Sequence, residues 1–424
     1  MPSVCDDIMD AEVNGESPPG DFQKFTDEQA EAAERKFLKR KQRLYQLIAK
    51  SDSKALREEA LQHGLIDDDV RSKAWPLLLD LKDLPDWDNI SGEELESHHE
   101  YNQVVLDVNR SIKRFPPSIE DSRRIAIQDE LIATIVTILS RNPGLHYYQG
   151  FHDVAVTILL VVKSKMAGHI IEKISTEHLK SFLEPTMERT SSLLEYIYPI
   201  LEKIDLDLCK HLDRSGVGTI FCLPWFITWF SHTIEVYETL MRLFDYFLAY
   251  DHKPGTEFLL PLYLIVSILE HWKDDILEQE CEMAALHSFF YRPLDTLDFE
   301  MLLKKADRYY HSYPPESMKK AVEKRIKDKE ERQRLEDLER KALRERRLRP
   351  KAPVTPWMRR LTVVAIGVVF VLSSVYYARA LLSWLKSRVL SVCKCKCIEM
   401  PISNRRARNR RNVVAPAETE LVGQ

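Results

Sequence analysis

The sequence predicts an all-α protein: a helical body, a charged helical spacer, and a single apolar C-terminal helix. Three observations carry that reading. Helical periodicities follow one another from about residue 26 to about residue 313, with short breaks and no run of alternating strands joined by turn dipeptides. Only 12 glycines occur in 424 residues, few for a turn-rich β fold. Near the C-terminus Leu361 to Ala378 form 18 residues without a charge, close to the length of about 20 that spans a hydrocarbon core as a helix.

Taken in order, residues 1–25 are acidic, carry Gly15, Pro18, Pro19 and Gly20, and read as disordered. The helical body covers 26–315. It opens with a charged helical stretch from Thr26 to about Leu61, anchored by Phe37, Leu44 and Leu47. Its clearest helix spans Ile119–Ser140, with Ser118 as cap, Asp121 at the third helical position, and Leu131, Ile135, Ile138 and Leu139 on one face. Asn142-Pro143-Gly144 stops it. Further helical runs are 154–164, 176–182, 191–201, 235–250 and 257–272.

Residues 316–356 are dominated by Lys, Arg and Glu, with Leu335, Leu338 and Leu343 sparsely placed. Too few apolar positions exist for a coiled coil, so the stretch reads as a solvated helical spacer. Pro350, Pro353 and Pro356 end it. The transmembrane segment is 357–385, if Arg379 snorkels; Trp357 on one side and Tyr376, Tyr377 and Trp384 on the other suit the two interfaces. Both flanks are basic, so charge does not orient the tail, 386–424. Within that tail Cys393-Lys-Cys-Lys-Cys397 has the wrong spacing for zinc, and on the cytosolic side it would suit S-palmitoylation.

The net charge of −5 hides a segregation. From Met318 onward 27 Lys+Arg face 11 Asp+Glu, a surplus of +16, which leaves −21 on residues 1–317. An acidic body with a basic end suits an anionic membrane surface, and no nucleic-acid partner is expected. Cys5, Cys209, Cys222 and Cys281 are scattered singly, the usage of a reduced cytosolic domain, and the N-terminus shows no signal-peptide pattern. Neither a P-loop nor a G-x-G-x-x-G pattern occurs, so the chain is not expected to hold a nucleotide itself.

Two short motifs carry candidate chemistry. In Val104-x-x-Asp107-x-x-Arg110 the acid and the arginine share a helix face, where Asp107 can orient the guanidinium, and Phe115-Pro116-Pro117 ends the helix soon after. Alone, such a pair is ordinarily a solvated ion pair of little consequence. Tyr148-Gln149-Gly150 follows the Asn-Pro-Gly break and precedes an apolar helix, so Gln149 can project outward while Tyr148 packs beneath. Alone, that is ordinarily a turn with an incidental polar residue.

In this order, about 40 residues apart, the two resemble the paired I-x-x-D-x-x-R and Y-x-Q-G signatures of the TBC-domain Rab GTPase-activating proteins. Further matches extend over Gly64 to Trp272. Gly64-Leu-Ile with Arg71 and Trp75 looks like the family's opening block, Leu223-Pro224-Trp225-Phe226 its L-P-W-F segment, and Arg242-Leu-Phe-Asp245 its R-x-W-D block. Departures are Val104 for Ile, Ile66 for Pro, Phe244 for Trp, and Phe151-His152 where Met-Asn is common.

The resemblance implies a two-lobed helical domain and a partner, a Rab GTPase in its GTP form. It makes Arg110 the arginine finger, chosen over the nearby Arg114, Arg123 and Arg124, and Gln149 the glutamine finger, with Asp107 orienting the arginine. Tyr148, Gly150, Arg71, Trp75, Pro224, Trp225 and Asp245 support the motifs. It implies no cofactor and no metal of the chain's own, since Mg²⁺ and GTP arrive with the Rab, whose active site the chain completes as an activator. The anchored architecture is similar to that of family members on the endoplasmic reticulum, which implies that membrane and Rabs of the early secretory, ER-to-Golgi route. The alternative is a catalytically silent, membrane-tethered TBC scaffold.

Overall fold

The computed structural model describes residues 20–82, 84–111, 119–162, 165–348 and 356–392, and every regular element among them is a helix. The chain begins with α1 (Gly20–Ala49), α2 (Ser53–His63), α3 (Asp68–Leu78), α4 (Gly92–Ser97) and α5 (Tyr101–Arg110). Then come α6 (Asp121–Arg141), α7 (Phe151–Val162), α8 (Met166–Thr176), α9 (Glu188–Leu194) and α10 (Ile197–Ile204). The second half holds α11 (Leu206–Ser215), α12 (Leu223–Ile227), α13 (Tyr237–Ala249), α14 (Leu260–His271) and α15 (Lys273–Glu278). Last are α16 (Met283–Phe289), α17 (Phe299–Ser312), α18 (Pro315–Leu348) and α19 (Pro356–Val392).

Local chemistry starts several of these helices. Asp52, Asp67, Asp205 and Asp298 each accept the backbone N–H three residues ahead, capping α2, α3, α11 and α17, and Ser91 with Glu94 makes a reciprocal box at α4. Packing does the rest. Helix α7 lies against α3, α6 and α8, and α5 lies on α6; farther along, α14 packs on α10 and α17. The apolar helices α7 and α14 are buried on nearly every side, as helices without a polar face must be. One continuous core runs from Leu44 to Val322.

Between the two halves, α13 meets α2 and α3, and a buried carboxylate fastens the contact. Asp245, fully buried on α13, accepts Arg71 Nε at 3.1 Å, Trp75 Nε1 at 2.9 Å and the Leu65 N–H at 2.7 Å. Burial alone would lower the Arg71 pKa, but the Asp245 charge beside it holds it above its ordinary value. Gly64 sits at φ +67°, where a Cβ would come within 2.8 Å of Arg242 Cδ.

Several element boundaries differ from the sequence reading. Helix starts at Gly20, so the expected disordered stretch gives way within 1–25; residues 1–19 lie outside the described ones. Helix α6 begins at Asp121, its first residue, which accepts from Arg124 at 2.8 Å, and Glu120 at its cap makes no side-chain bond. Ser118 lies outside the described residues. The run expected over 176–182 is instead the end of α8 and a 3₁₀ turn at Lys180–Phe182. Helix α8 places Gly168 where a Cβ would stand 2.3 Å from the Trp87 ring, so close contact with an indole explains the glycine. The run expected over 191–201 is two helices, broken around Glu195, whose buried carboxylate takes Arg325 Nε at 2.9 Å and Lys329 Nζ at 2.5 Å.

Those cations belong to α18, so the spacer is not solvated from its start. Met318 and Val322 are buried in the core, and the Arg325 guanidinium lies 3.7 Å from the centre of the Tyr198 ring. Beyond Lys329 the described side chains of α18 are exposed. Residues 1–336 form one compact unit and 337–424 a second. In the second unit, Arg360–Lys386 of α19 is long and apolar enough to cross a membrane by length and composition, with its apolar side chains, such as Phe370 at 74%, exposed. The Cys393, Cys395 and Cys397 cluster lies outside the described residues.

Candidate functional site

Arg110 and Gln149 line one cleft of about 560 Å³, together with Gly150, Pro224, Thr228 and His232. Arg110 is the last residue of α5 and is exposed. That helix end is secured from below: Ser111 Oγ donates to the Val108 carbonyl at 2.7 Å, and Gln128 Nε2 of α6 donates to the same oxygen at 3.2 Å. Carbonyls at a helix C-terminus lack partners of their own, and these two donors supply them.

Asp107 does not hold Arg110. Its carboxylate is buried and accepts the Tyr147 hydroxyl at 3.1 Å and Gln103 Nε2 at 3.2 Å. Among the described residues Arg110 has no ion pair and no side-chain hydrogen bond. Three positions apart on a short helix, the acid faces inward and the arginine lies at the rim, so the expected orienting contact is replaced by one to a tyrosine.

The Gln149 loop is fixed by what surrounds it. Tyr148 is buried, its hydroxyl donates to the Ile227 carbonyl at 2.6 Å, and its ring meets Phe151 and Phe182. Gly150 has φ +106°, and a Cβ there would lie 2.8 Å from Thr228 Cγ2. Between a buried tyrosine and a glycine pressed on its neighbour, Gln149 is the residue left exposed. Thr228 is held in turn by its hydroxyl, which donates to the Pro224 carbonyl at 2.6 Å.

Tyr147 joins the two motifs. Its N–H donates to Glu100 Oε1 at 3.0 Å, and its hydroxyl lies 2.9 Å from His152 Nδ1 while donating to Asp107. With that hydroxyl hydrogen given to the carboxylate, His152 must offer Nδ1–H to the phenol oxygen. Burial, with the Asp107 charge beside it, raises the Tyr147 pKa far above its ordinary value, so the hydroxyl stays a donor. Farther along, Asp153 Oδ2 lies 2.8 Å from His232 Nδ1 at the cleft wall.

Of the supporting residues named from sequence, the structure buries Tyr148 beneath the loop that carries Gln149 and brings Gly150 and Pro224 to the cleft. Trp225 is buried behind it and lines an adjoining cavity of about 620 Å³. Arg71, Trp75 and Asp245 make the knot between α3 and α13 and do not line the cleft. Arg123 and Arg124 sit on α6 outside it, and Arg114 lies outside the described residues. Sequence reasoning missed Tyr147, His152, Asp153 and His232. The signal for Tyr147 was present, since it is the first residue of a Y-x-Q-G pattern read at Tyr148.

The Rab-GTPase-TBC domain profile matches residues 68–277. TBC1 domain family member 20 of Homo sapiens is 39% identical over 270 residues, 63% of this chain and 65% of the relative's length. The GTPase-activating protein gyp10 of Schizosaccharomyces pombe is 28% identical over 190 residues, 44% of this chain and 50% of its own length. Among solved structures, the Ypt/Rab-GAP domain of Gyp1p overlays with a TM-score of 0.48 at 17% identity, covering 64% of this chain and 99% of that one. The chain thus spans slightly under two thirds of the human relative it matches. Its all-helical body carries a Rab-GTPase-TBC domain over residues 68–277.

Proposed function

We propose that the chain accelerates GTP hydrolysis by a Rab GTPase in its GTP form, supplying Arg110 and Gln149 in trans. One observation carries the reading: the arginine of one motif and the glutamine of the other stand exposed in one cleft, close to the buried and hydrogen-bonded Asp107 and Tyr148. As the γ-phosphate bond breaks, negative charge gathers on the transferring group and the bridging oxygen. An always-ionised planar guanidinium stabilises that charge, an effect of about 10³–10⁵-fold in rate. The carboxamide of Gln149 orients the attacking water, the work that a GTPase's own glutamine often does. Mg²⁺ and GTP come with the partner.

The same proposal takes 357–385 as a single-pass anchor in the endoplasmic reticulum membrane, with the body in the cytosol, and Rabs of the ER-to-Golgi route as substrates. The apolar composition of α19 and the resemblance to anchored family members support it. Single-turnover GTP hydrolysis by a Rab panel tests the activity. Stimulation of at least one Rab that is lost with Arg110→Ala is the expected result. Stable Rab binding without any acceleration would favour the silent scaffold.

A further inference from the structure

The start of α5 and the loop carrying Gln149 meet at a group of side chains that hydrolysis does not use. His146 Nδ1 lies 3.5 Å from Glu100 Oε1, and His99 Nε2 lies 3.8 Å from the same oxygen. One donor atom from each of the three residues falls within 4.8 Å of the others. We propose that His99, Glu100 and His146 bind a divalent transition-metal ion of the zinc class.

Two imidazoles and a carboxylate are a known ligand set for zinc, with water completing the shell. Tetrahedral bonds of ~2.0–2.1 Å set ligand atoms about 3.4 Å apart, so the observed separations close by side-chain adjustment alone. The carboxylate is already oriented from behind: Glu100 Oε1 accepts the Tyr147 N–H at 3.0 Å, and the Glu100 N–H donates to His98 Nδ1 at 3.3 Å. Such outer contacts are what fix a metal ligand in place.

A second observation points to a cation. Glu100 Oε2 is buried and has no hydrogen-bond partner among the described residues. A desolvated carboxylate oxygen without a donor is costly, and a cation held by both oxygens of the carboxylate removes the cost. His99, with 69% of its side chain exposed, leaves the group open to solvent. The ordinary competing role for these histidines is a pair of surface ion pairs with Glu100 when protonated, which would gather no metal.

Placement gives the ion a consequence. Glu100 caps α5, whose last residue is Arg110, and His146 stands three residues before Gln149. A bound ion therefore ties together the two segments that carry the fingers. The binding claim is independent of the proposed GTPase chemistry; only this consequence for the rate rests on it.

The test is calorimetric titration of Zn²⁺ into the full chain in detergent, with C393S, C395S and C397S removing the competing thiols. One equivalent should bind, and the affinity should fall at least about tenfold in H99A and in H146A, a loss of the size that even outer-shell changes produce. Circular dichroism confirms that both variants are folded, which the exposure of His99 favours. No saturable uptake, or an affinity unchanged in either variant, overturns the site. Because the readout is binding, failure here is distinct from failure of GTPase activation.

Discussion

Arg110 and Gln149 are presented in different ways, and each makes its own prediction. Arg110 has no side-chain partner among the described residues, so its contribution is the guanidinium itself. Arg110→Ala should remove stimulated hydrolysis from a folded protein. Arg110→Lys should fail with it, because a flexible ammonium cannot reproduce the planar fork; the expected loss in single-turnover assays is about 10³-fold or more. Gln149 is held out by the residues on either side. Gly150→Ala, at φ +106° and against Thr228, should displace Gln149 and cut the rate at unchanged Rab affinity. That Arg110 and Gln149 would meet in one cleft was legible in the sequence because motif spacing carries over residue by residue. The partner of Asp107 was not: helical spacing says which side chains share a face, but not which of them a neighbouring loop will claim.

Helix α5 and the loop before α7 must be joined for Arg110 and Gln149 to share a cleft. The Tyr147 hydroxyl, shared between Asp107 and His152, makes that joint. Tyr147→Phe keeps the ring and removes the bond. The expected result is a rate reduced about ten- to hundredfold, the scale that misplacement of about 1 Å produces, with Gln149 itself intact. Elsewhere Arg71, Trp75 and Asp245 hold α3 to α13. Asp245→Asn should leave Arg71 without its buried charge partner and lower stability by about 3–5 kcal/mol, read by denaturant unfolding. The rate of the protein that remains folded should be unchanged. The all-helical character of the body was legible from periodicity, but α8, α11 and α17 were not among the runs it marked, and boundaries moved wherever tertiary contacts intervened. A glycine stands inside α8 at 168 because the Trp87 ring leaves no room for a Cβ, and the break at Glu195 serves cations arriving from α18. Neither cause is visible in a local window.

For the whole molecule, the division between body and tail lies farther along than charge composition suggests. Met318 and Val322 belong to the core and Arg325 pairs with the buried Glu195, so a chain ended after Ser312 should be destabilised, with Glu195 left buried and unpaired. A chain ended after Pro350 keeps all of α18, and should be soluble and fully active on a soluble Rab. On membranes that shorter chain should work poorly, because confinement to one surface raises the effective concentration of activator over substrate. Carbonate extraction of the full chain and hydrolysis by the shorter one check these two expectations. A responding Rab whose own catalytic glutamine has been replaced separates the role of Gln149 from that of Arg110. In single-turnover assays, the intact chain should still accelerate GTP hydrolysis by that Rab, and Gln149→Ala should abolish the acceleration. If the Rab substitution alone removes all response to the intact chain, Gln149 does not position the water, and the two-finger account of this cleft is wrong.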